Sequence, residues 1–171
     1  MRRPAHQPVV FDINVLVGAV AGGNSPFRSW PSPPPVTDNA FADCLGIVND
    51  AREFALYLSP HVIANTIRVL VDPNGLVWEG EHAERYAALL VEMAEASGGA
   101  ILAPATSVSD CPDFEDNRIL ELALAANAVL IVSNDRDLLV MSPWRGIPVI
   151  TPREFASRVD AARRAERRRP D

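Results

Sequence analysis

The sequence predicts an α/β fold in which a mostly parallel central sheet is covered by helices on both faces. Short apolar runs alternate along the chain with longer segments of helical periodicity. The runs are apolar at nearly every position, which is typical of strands buried on both faces of a parallel sheet. The length of 171 residues suits one domain with a sizeable core and leaves little room for a second.

The first strand is predicted at residues 8–11, an apolar run that is followed by an acid. A short helix follows at residues 13–21 and is closed by two glycines. Residues 22–37 are rich in Gly, Ser and Pro, which regular structure does not tolerate. We therefore expect a long exposed loop there.

The next helix is expected at residues 39–52 and the next strand at residues 54–58. Ser59 and Pro60 form a strong helix start, because the hydroxyl can cap the helix and proline is favoured at the first helical position. The helix that begins there has one apolar face and ends near Asp72. A longer amphipathic helix at residues 81–97 and a short strand at residues 100–102 follow.

The last third of the chain repeats this alternation. Its elements are a helix with an acidic first turn, a strand, a short helix and a strand, predicted in turn at residues 113–127, 129–133, 135–140 and 147–150. Thr151 and Pro152 then start a terminal helix by the same chemistry as Ser59 and Pro60. We assign residues 1–155 to the domain and residues 156–171 to a C-terminal helix and arginine-rich tail.

The charge composition limits the functions open to the chain. Its net charge of -6 argues against a protein that holds nucleic acid through a broad basic surface. All 16 basic residues are arginine, so mechanisms that need a lysine are excluded. Five of these arginines crowd the C-terminal end, where they form either a solvated helix end or a binding arm.

The remaining bulk features indicate a cytoplasmic protein. No apolar run approaches the roughly 20 residues of a membrane span, and an acid interrupts the first apolar segment, which a secretory signal would not tolerate. The two cysteines, Cys44 and Cys111, lack a metal-ligand or redox spacing and are predicted to be buried free thiols.

Three acids occupy corresponding places in the predicted pattern. Asp12 ends the first strand, Asp135 follows a later strand, and Asp116 lies in the first turn of a helix. The carboxyl ends of parallel strands form one ligand crevice, so Asp12 and Asp135 should face the same edge. Helix capping explains each acid alone. Capping does not explain the polar residues that accompany them, namely Asn14, Asn117, Ser133 and Asp137.

The three acids together predict a divalent metal site. Clustered carboxylates repel one another, which costs stability unless a cation neutralises them. Hard oxygen ligands favour Mg²⁺ or Mn²⁺ over zinc, and the chain has no Cys/His ligand set.

Three segments of the chain resemble the acidic motifs of PIN domains. Residues 9–17 resemble the opening motif, residues 116–123 the second acidic motif and residues 129–139 the third, in the same order and spacing. The resemblance extends to about Phe155 and implies a PIN-like three-layer α/β fold. The most similar subset is the toxin components of bacterial toxin–antitoxin systems, the VapC type.

The resemblance implies a metal-dependent endoribonuclease. Asp12, Asp116 and Asp135 would be its catalytic residues and would hold Mg²⁺ or Mn²⁺, with Asp137 as a further ligand. Polar residues that orient these carboxylates or contact phosphate would be Asn14, Asn65, Asn117 and Ser133. The implied partners are an RNA substrate, a cognate antitoxin protein and a second copy of the chain in a homodimer.

One departure from the family pattern leaves a second reading open. Asn65 stands where the family places a fourth acid, a glutamate, so one negative charge is lost. His61 and Arg68 share a helical face with Asn65. The alternative is therefore a catalytically degenerate PIN domain that acts as an RNA-binding or protein-interaction module.

Other α/β proteins with an acid after the first strand fit the sequence poorly. A haloacid-dehalogenase-type phosphatase needs a second aspartate at the position of Asn14 and also a lysine. A response-regulator receiver domain likewise needs a lysine. A dinucleotide-binding protein needs a glycine-rich turn after the first strand, which is missing here.

Overall fold

The computed structural model, which describes residues 5–21 and 38–169, contains a four-stranded parallel sheet. The strands are β1 (Gln7–Phe11), β2 (Phe54–Tyr57), β3 (Leu130–Val132) and β4 (Val149–Ile150), in the order β2-β1-β3-β4. All three pairings are parallel, with Val9 opposite both Leu56 and Leu130. The predicted α/β class with a parallel sheet is confirmed, and the predicted loop at residues 22–37 lies outside the described residues.

Helices precede and follow the strands as the sequence predicts. They are α1 (Ile13–Ala21), α2 (Ala40–Asn49), α3 (Pro60–Val71), α4 (Gly80–Ala96), α5 (Phe114–Ala125), α6 (Arg136–Leu139) and α7 (Pro152–Arg167). Both predicted Ser/Thr-Pro starts are confirmed. The Val62 N–H donates to Ser59 Oγ over 3.1 Å, and the Glu154 N–H donates to Thr151 Oγ1 over 3.2 Å. No helix in the described ranges is long and apolar enough to cross a membrane.

The strand predicted at residues 100–102 is wrong in extent, because the chain there makes a single bridge between Leu58 and Ile101. The Leu58 N–H donates to the Ala100 carbonyl, and the Leu102 N–H donates to the Leu58 carbonyl. The next residues that would donate in this ladder are Pro60 and Pro104, which have no N–H. The pairing therefore ends after one residue.

The core is built from both sides of the sheet. The Phe155 ring of α7 lies edge-on to Phe11 at 5.7 Å and to Phe54 at 5.0 Å between centroids. The Tyr86 hydroxyl of α4 is buried and donates to the Leu16 carbonyl over 2.6 Å. Cys44 and Cys111 are free and buried, as predicted.

Helix α7 runs from the carboxyl edge of the sheet to its amino edge. It begins directly after β4, and Arg163 near its other end reaches Glu53, the residue before β2. Arg163 holds this carboxylate through two bonds of 2.8 and 2.7 Å and holds Asp50 through a third of 2.9 Å. The predicted division at residue 155 falls within this helix, and Val159 beyond it is still buried. The arginine-rich end of α7 therefore lies at the amino edge of the sheet.

Candidate metal centre

Asp12 lies at the carboxyl edge of the sheet, directly after β1. Its N–H donates to the Val132 carbonyl over 2.9 Å, so β3 fixes its backbone. The side chain is only 6% exposed, yet both carboxylate oxygens accept hydrogen bonds. The Ile13 N–H donates to Oδ1 over 2.7 Å, and Asn14 Nδ2 donates to Oδ2 over 3.1 Å. A buried carboxylate in this position is oriented before any ligand arrives.

Ser133 connects Asp12 to Asp135. Its hydroxyl donates to Asp12 Oδ2 over 2.6 Å and accepts from the Asp135 N–H over 2.9 Å. The side chain of Asn14 makes a second connection, because its Oδ1 accepts from the Asn134 N–H over 3.3 Å. Parallel pairing of β1 with β3 brings these residues, which follow the two strands, to the same edge.

Asp135 is half-buried and caps α6. Its Oδ1 accepts from the Asp137 N–H over 2.8 Å. Asp137 itself is exposed and does not join the cluster of acids that the described residues form at this edge. It lies near enough for its charge to raise the pKa of the Cys111 thiol, together with burial, which is the larger cause.

Asp116 comes to the site from the first turn of α5, which Asp113 caps. Its Oδ2 accepts from the Cys111 thiol over 3.5 Å. Asn117 holds the backbone of Cys111 at both ends, accepting from its N–H over 2.9 Å and donating to its carbonyl over 2.8 Å. The sequence predicted Cys111 only as a buried thiol. Its contact with Asp116 could not be predicted, because a cysteine five residues before an aspartate matches no known motif.

The carboxylates of Asp12, Asp116 and Asp135 meet at one point. One oxygen from each lies within 4.8 Å of the other two. Burial, with the neighbouring charge of Asp135, raises the pKa of Asp116 from 3.8 to about 6. Burial also raises the pKa of Asp12, against the opposing effect of the Ser133 hydrogen bond. The protein alone therefore disfavours the fully ionised cluster, and a divalent cation would remove the repulsion.

The donor set fits Mg²⁺ or Mn²⁺. All three groups offer hard carboxylate oxygens on converging side chains; Ser133 donates to the Asp12 carboxylate and accepts from the backbone N–H of Asp135. Asp135 is half-buried, so the cluster is partly accessible to solvent on its side. The arrangement can bind a cation and place it beside an incoming phosphate.

Asn65 is not part of this cluster. It is buried on α3, where its Nδ2 donates to Glu115 Oε2 over 2.8 Å and its Oδ1 accepts from Arg68 Nε over 2.7 Å. His61 Nε2 lies 2.7 Å from the same Glu115 oxygen. The face of α3 that was predicted to be less acidic thus carries His61 and Arg68. The Glu115 carboxylate of α5 also lies against this face.

Glu115, the carboxylate that contacts His61 and Asn65, was not predicted from the sequence. It precedes Asp116 in an acidic first turn, which is the only sequence signal that it gives. Its partners on α3 lie 50 or more residues away in the chain, so the contact depends on the packing of the two helices.

A family model described as PIN domain matches residues 8–137, more than half of the chain. The match includes the three aspartates of the cluster. No curated protein matches the chain.

Proposed function

Because the chain belongs to the PIN domain family, we propose that it is an endoribonuclease that depends on a divalent metal. PIN domains are generally nucleases, and an acidic cluster that could bind a metal is present. The observation that carries the proposal is the convergence of three carboxylate oxygens within 4.8 Å at the carboxyl edge of the sheet.

The proposed roles of the side chains follow from their contacts. Asp12, Asp116 and Asp135 would hold Mg²⁺ or Mn²⁺. Asp137 is exposed and outside the cluster, so its proposed role as a further ligand rests on the resemblance to PIN domains and not on a contact. The bound ion would activate water and stabilise charge on the phosphate. Ser133 and Asn14 orient the Asp12 carboxylate, while Asn117 keeps the Cys111 thiol against Asp116.

A bound cation also reconciles the acidic chain with an anionic substrate. The net charge is -6, and the pocket itself is anionic. A divalent ion would offset most of the carboxylate charge and present a positive centre at the place where the phosphate must lie. RNA therefore binds near the ion rather than across a broad basic surface.

The test is RNA cleavage by the purified chain with Mg²⁺, with Mn²⁺ and with chelator. Cleavage should need the metal and should be lost in Asp12→Asn. Asp160→Asn is the matched control, because Asp160 is exposed on α7 and pairs with Arg164, away from the cluster. Cleavage that survives in Asp12→Asn would assign the activity to a contaminant and defeat the proposal.

A second candidate, a degenerate PIN domain that binds RNA or protein without cutting, is favoured by Asn65. This amide lies between Arg68 and Glu115 and supplies no charge to the cluster. A glutamate at position 65 would meet the Glu115 carboxylate, so the discriminating variant is Asn65→Glu combined with Glu115→Gln. An inactive wild type and an active double variant would establish the degenerate domain.

Within the nuclease proposal, the biological role is that of a toxin in a toxin–antitoxin pair, acting in the cytoplasm. Its partners would be a cognate antitoxin and a second copy of the chain. Induced expression of the wild type should arrest growth, whereas Asp12→Asn should not. Light scattering after size exclusion tests the homodimer independently, since a monomeric mass would contradict it.

A further inference from the structure

We propose that Phe114 is a stacking platform for an unpaired nucleobase of the RNA, on the surface where α5 meets α3. The inference rests on the proposed nuclease function and adds a base-binding residue outside the metal cluster. Phe114 is the first residue of α5 and lies two residues before Asp116. Positions two apart on a helix point to different sides, so the ring lies on the surface that α5 shares with His61 of α3.

The Phe114 ring is exposed but held in place. The side chain is 58% exposed, although a single exposed aromatic is ordinary and carries no argument by itself. The Phe114 ring differs from an ordinary exposed aromatic in that two neighbouring side chains hold it in place. The Arg118 guanidinium lies 4.3 Å from the ring centroid, and the His61 ring packs edge-on at 6.2 Å with an interplanar angle of 82°.

A carboxylate in turn fixes the Arg118 guanidinium. Arg118 Nη1 donates to Glu121 Oε2 over 2.9 Å, and Glu121 is only 5% exposed. The other Glu121 oxygen accepts from the Val108 N–H over 3.0 Å. The cation that lies over the Phe114 ring is therefore anchored in the core.

The imidazole beside the ring is fixed in the same way from the other helix. His61 contacts Glu115 Oε2 at 2.7 Å, and the Asn65 amide donates to that same oxygen. The platform made of Phe114, Arg118 and His61 is consequently preorganised, so a ligand would lose little entropy in ordering it.

The charge around the platform favours a nucleic acid over a protein side chain. Arg118 and His61 flank the ring, and Arg68 lies on the same side of α3, where Asn65 holds its Nε. In the described part of the chain no carboxylate pairs with Arg68, so its terminal nitrogens remain available for phosphate. An aromatic ring with adjacent arginine is the surface on which unpaired bases stack.

The same geometry selects against duplex RNA. Bases inside a helix are stacked on both faces by their neighbours, so they cannot lie on an external ring unless they are unpaired. Stacking on one aromatic is tolerant of sequence because every base has a π-face. The platform therefore predicts a preference for strandedness rather than for one base.

The experiment measures binding with Ca²⁺ in place of Mg²⁺, so that a cation stays available to the carboxylates, by fluorescence anisotropy of two labelled probes with cleavage-resistant linkages. One probe is a short oligouridine, and the other is an abasic oligomer of the same length and charge. Phe114→Ala should weaken oligouridine binding about 10-fold, as expected for one lost stacking contact, and leave the abasic oligomer unchanged. Phe114→Tyr should bind both probes like the wild type.

Val129→Ala is the matched control, because Val129 is also exposed but precedes β3 at the opposite edge of the sheet. Equal affinities for Phe114→Ala and wild type, or equal losses for both probes, would overturn the inference. The same holds if Phe114→Tyr fails to retain binding. Because these readings need no cleavage, they are independent of whether the nuclease assay succeeds.

Discussion

At the residue scale, the candidate centre depends on short local bonds that fix carboxylates in place. The Ser133 hydroxyl touches both an oxygen of Asp12 and the N–H of Asp135, so one side chain sets the relation between two ligands. Such contacts around metal ligands commonly change metal affinity by 10- to 100-fold when they are removed. The residues next to the ligands therefore matter nearly as much as the ligands.

The raised pKa of Asp116 predicts how the metal-free protein responds to pH. Its folded pKa is about 6 against 3.8 when unperturbed, so the folded chain holds this proton more tightly than the unfolded chain. Between these values the free energy of unfolding falls as pH rises. Asp116→Asn should thus raise the free energy of unfolding at pH 7 by about 1–3 kcal/mol in chelator.

Urea denaturation at pH 7 and pH 5 checks this prediction. The gain from Asp116→Asn should be smaller at pH 5, because the wild-type carboxyl is then largely protonated. Asp160→Asn, which changes an exposed acid on α7, should show no such pH dependence. A destabilised Asp116→Asn at pH 7 would contradict the account.

At the element scale, helix starts were predictable because capping is local. Ser59 and Thr151 cap α3 and α7 as expected from a hydroxyl followed by proline. The extent of the strand at residues 100–102 was not predictable, since its ladder ends where the next donors would be Pro60 and Pro104, which are distant in sequence. The contact of Asn65 with Glu115 was hidden for the same reason, because it depends on how α3 packs against α5.

Gly99 and Gly46 should respond oppositely to substitution by alanine, because only one of them is closely packed against another element. A Cβ on Gly99 would lie 1.8 Å from the Leu56 carbonyl oxygen, where the chain passes β2. A Cβ on Gly46, inside α2, would meet nothing within 4 Å. Gly99→Ala should cost roughly 3 kcal/mol or more of stability, whereas Gly46→Ala should add about 0.5–1 kcal/mol. Thermal unfolding of both variants measures the difference, and a stable Gly99→Ala would show that the backbone there can shift.

At the scale of the whole molecule, parallel topology explains how much of the site could be foreseen. Two acids after neighbouring parallel strands must share an edge, so the approach of Asp12 to Asp135 follows from the strand pattern. The contact of Cys111 with Asp116 and the exposure of Asp137 depend on how loops turn, which strand and helix patterns do not encode.

The position of the arginine-rich end of α7 predicts that it does not hold the RNA substrate. Arg163 anchors that end at the amino edge of the sheet, opposite the carboxylates. Replacing Arg167, Arg168 and Arg169 with serine should leave RNA affinity and cleavage within about two-fold, because no phosphate contact is lost. Arg68→Ser, on the α3 surface near the Phe114 platform, should weaken binding more. A larger loss in the triple variant than in Arg68→Ser would identify the tail as a binding arm.

The most direct test of the central claim is calorimetric titration of the purified chain with Mn²⁺. The account predicts that the wild type binds the ion and that Ser133→Ala binds about 10- to 100-fold more weakly. Asp12→Asn should lose more affinity than Ser133→Ala, and Asp160→Asn should bind like the wild type, with circular dichroism confirming that all three remain folded. Absence of Mn²⁺ binding by the wild type, or equal binding by Asp12→Asn, would contradict the assignment of the three aspartates as a metal centre.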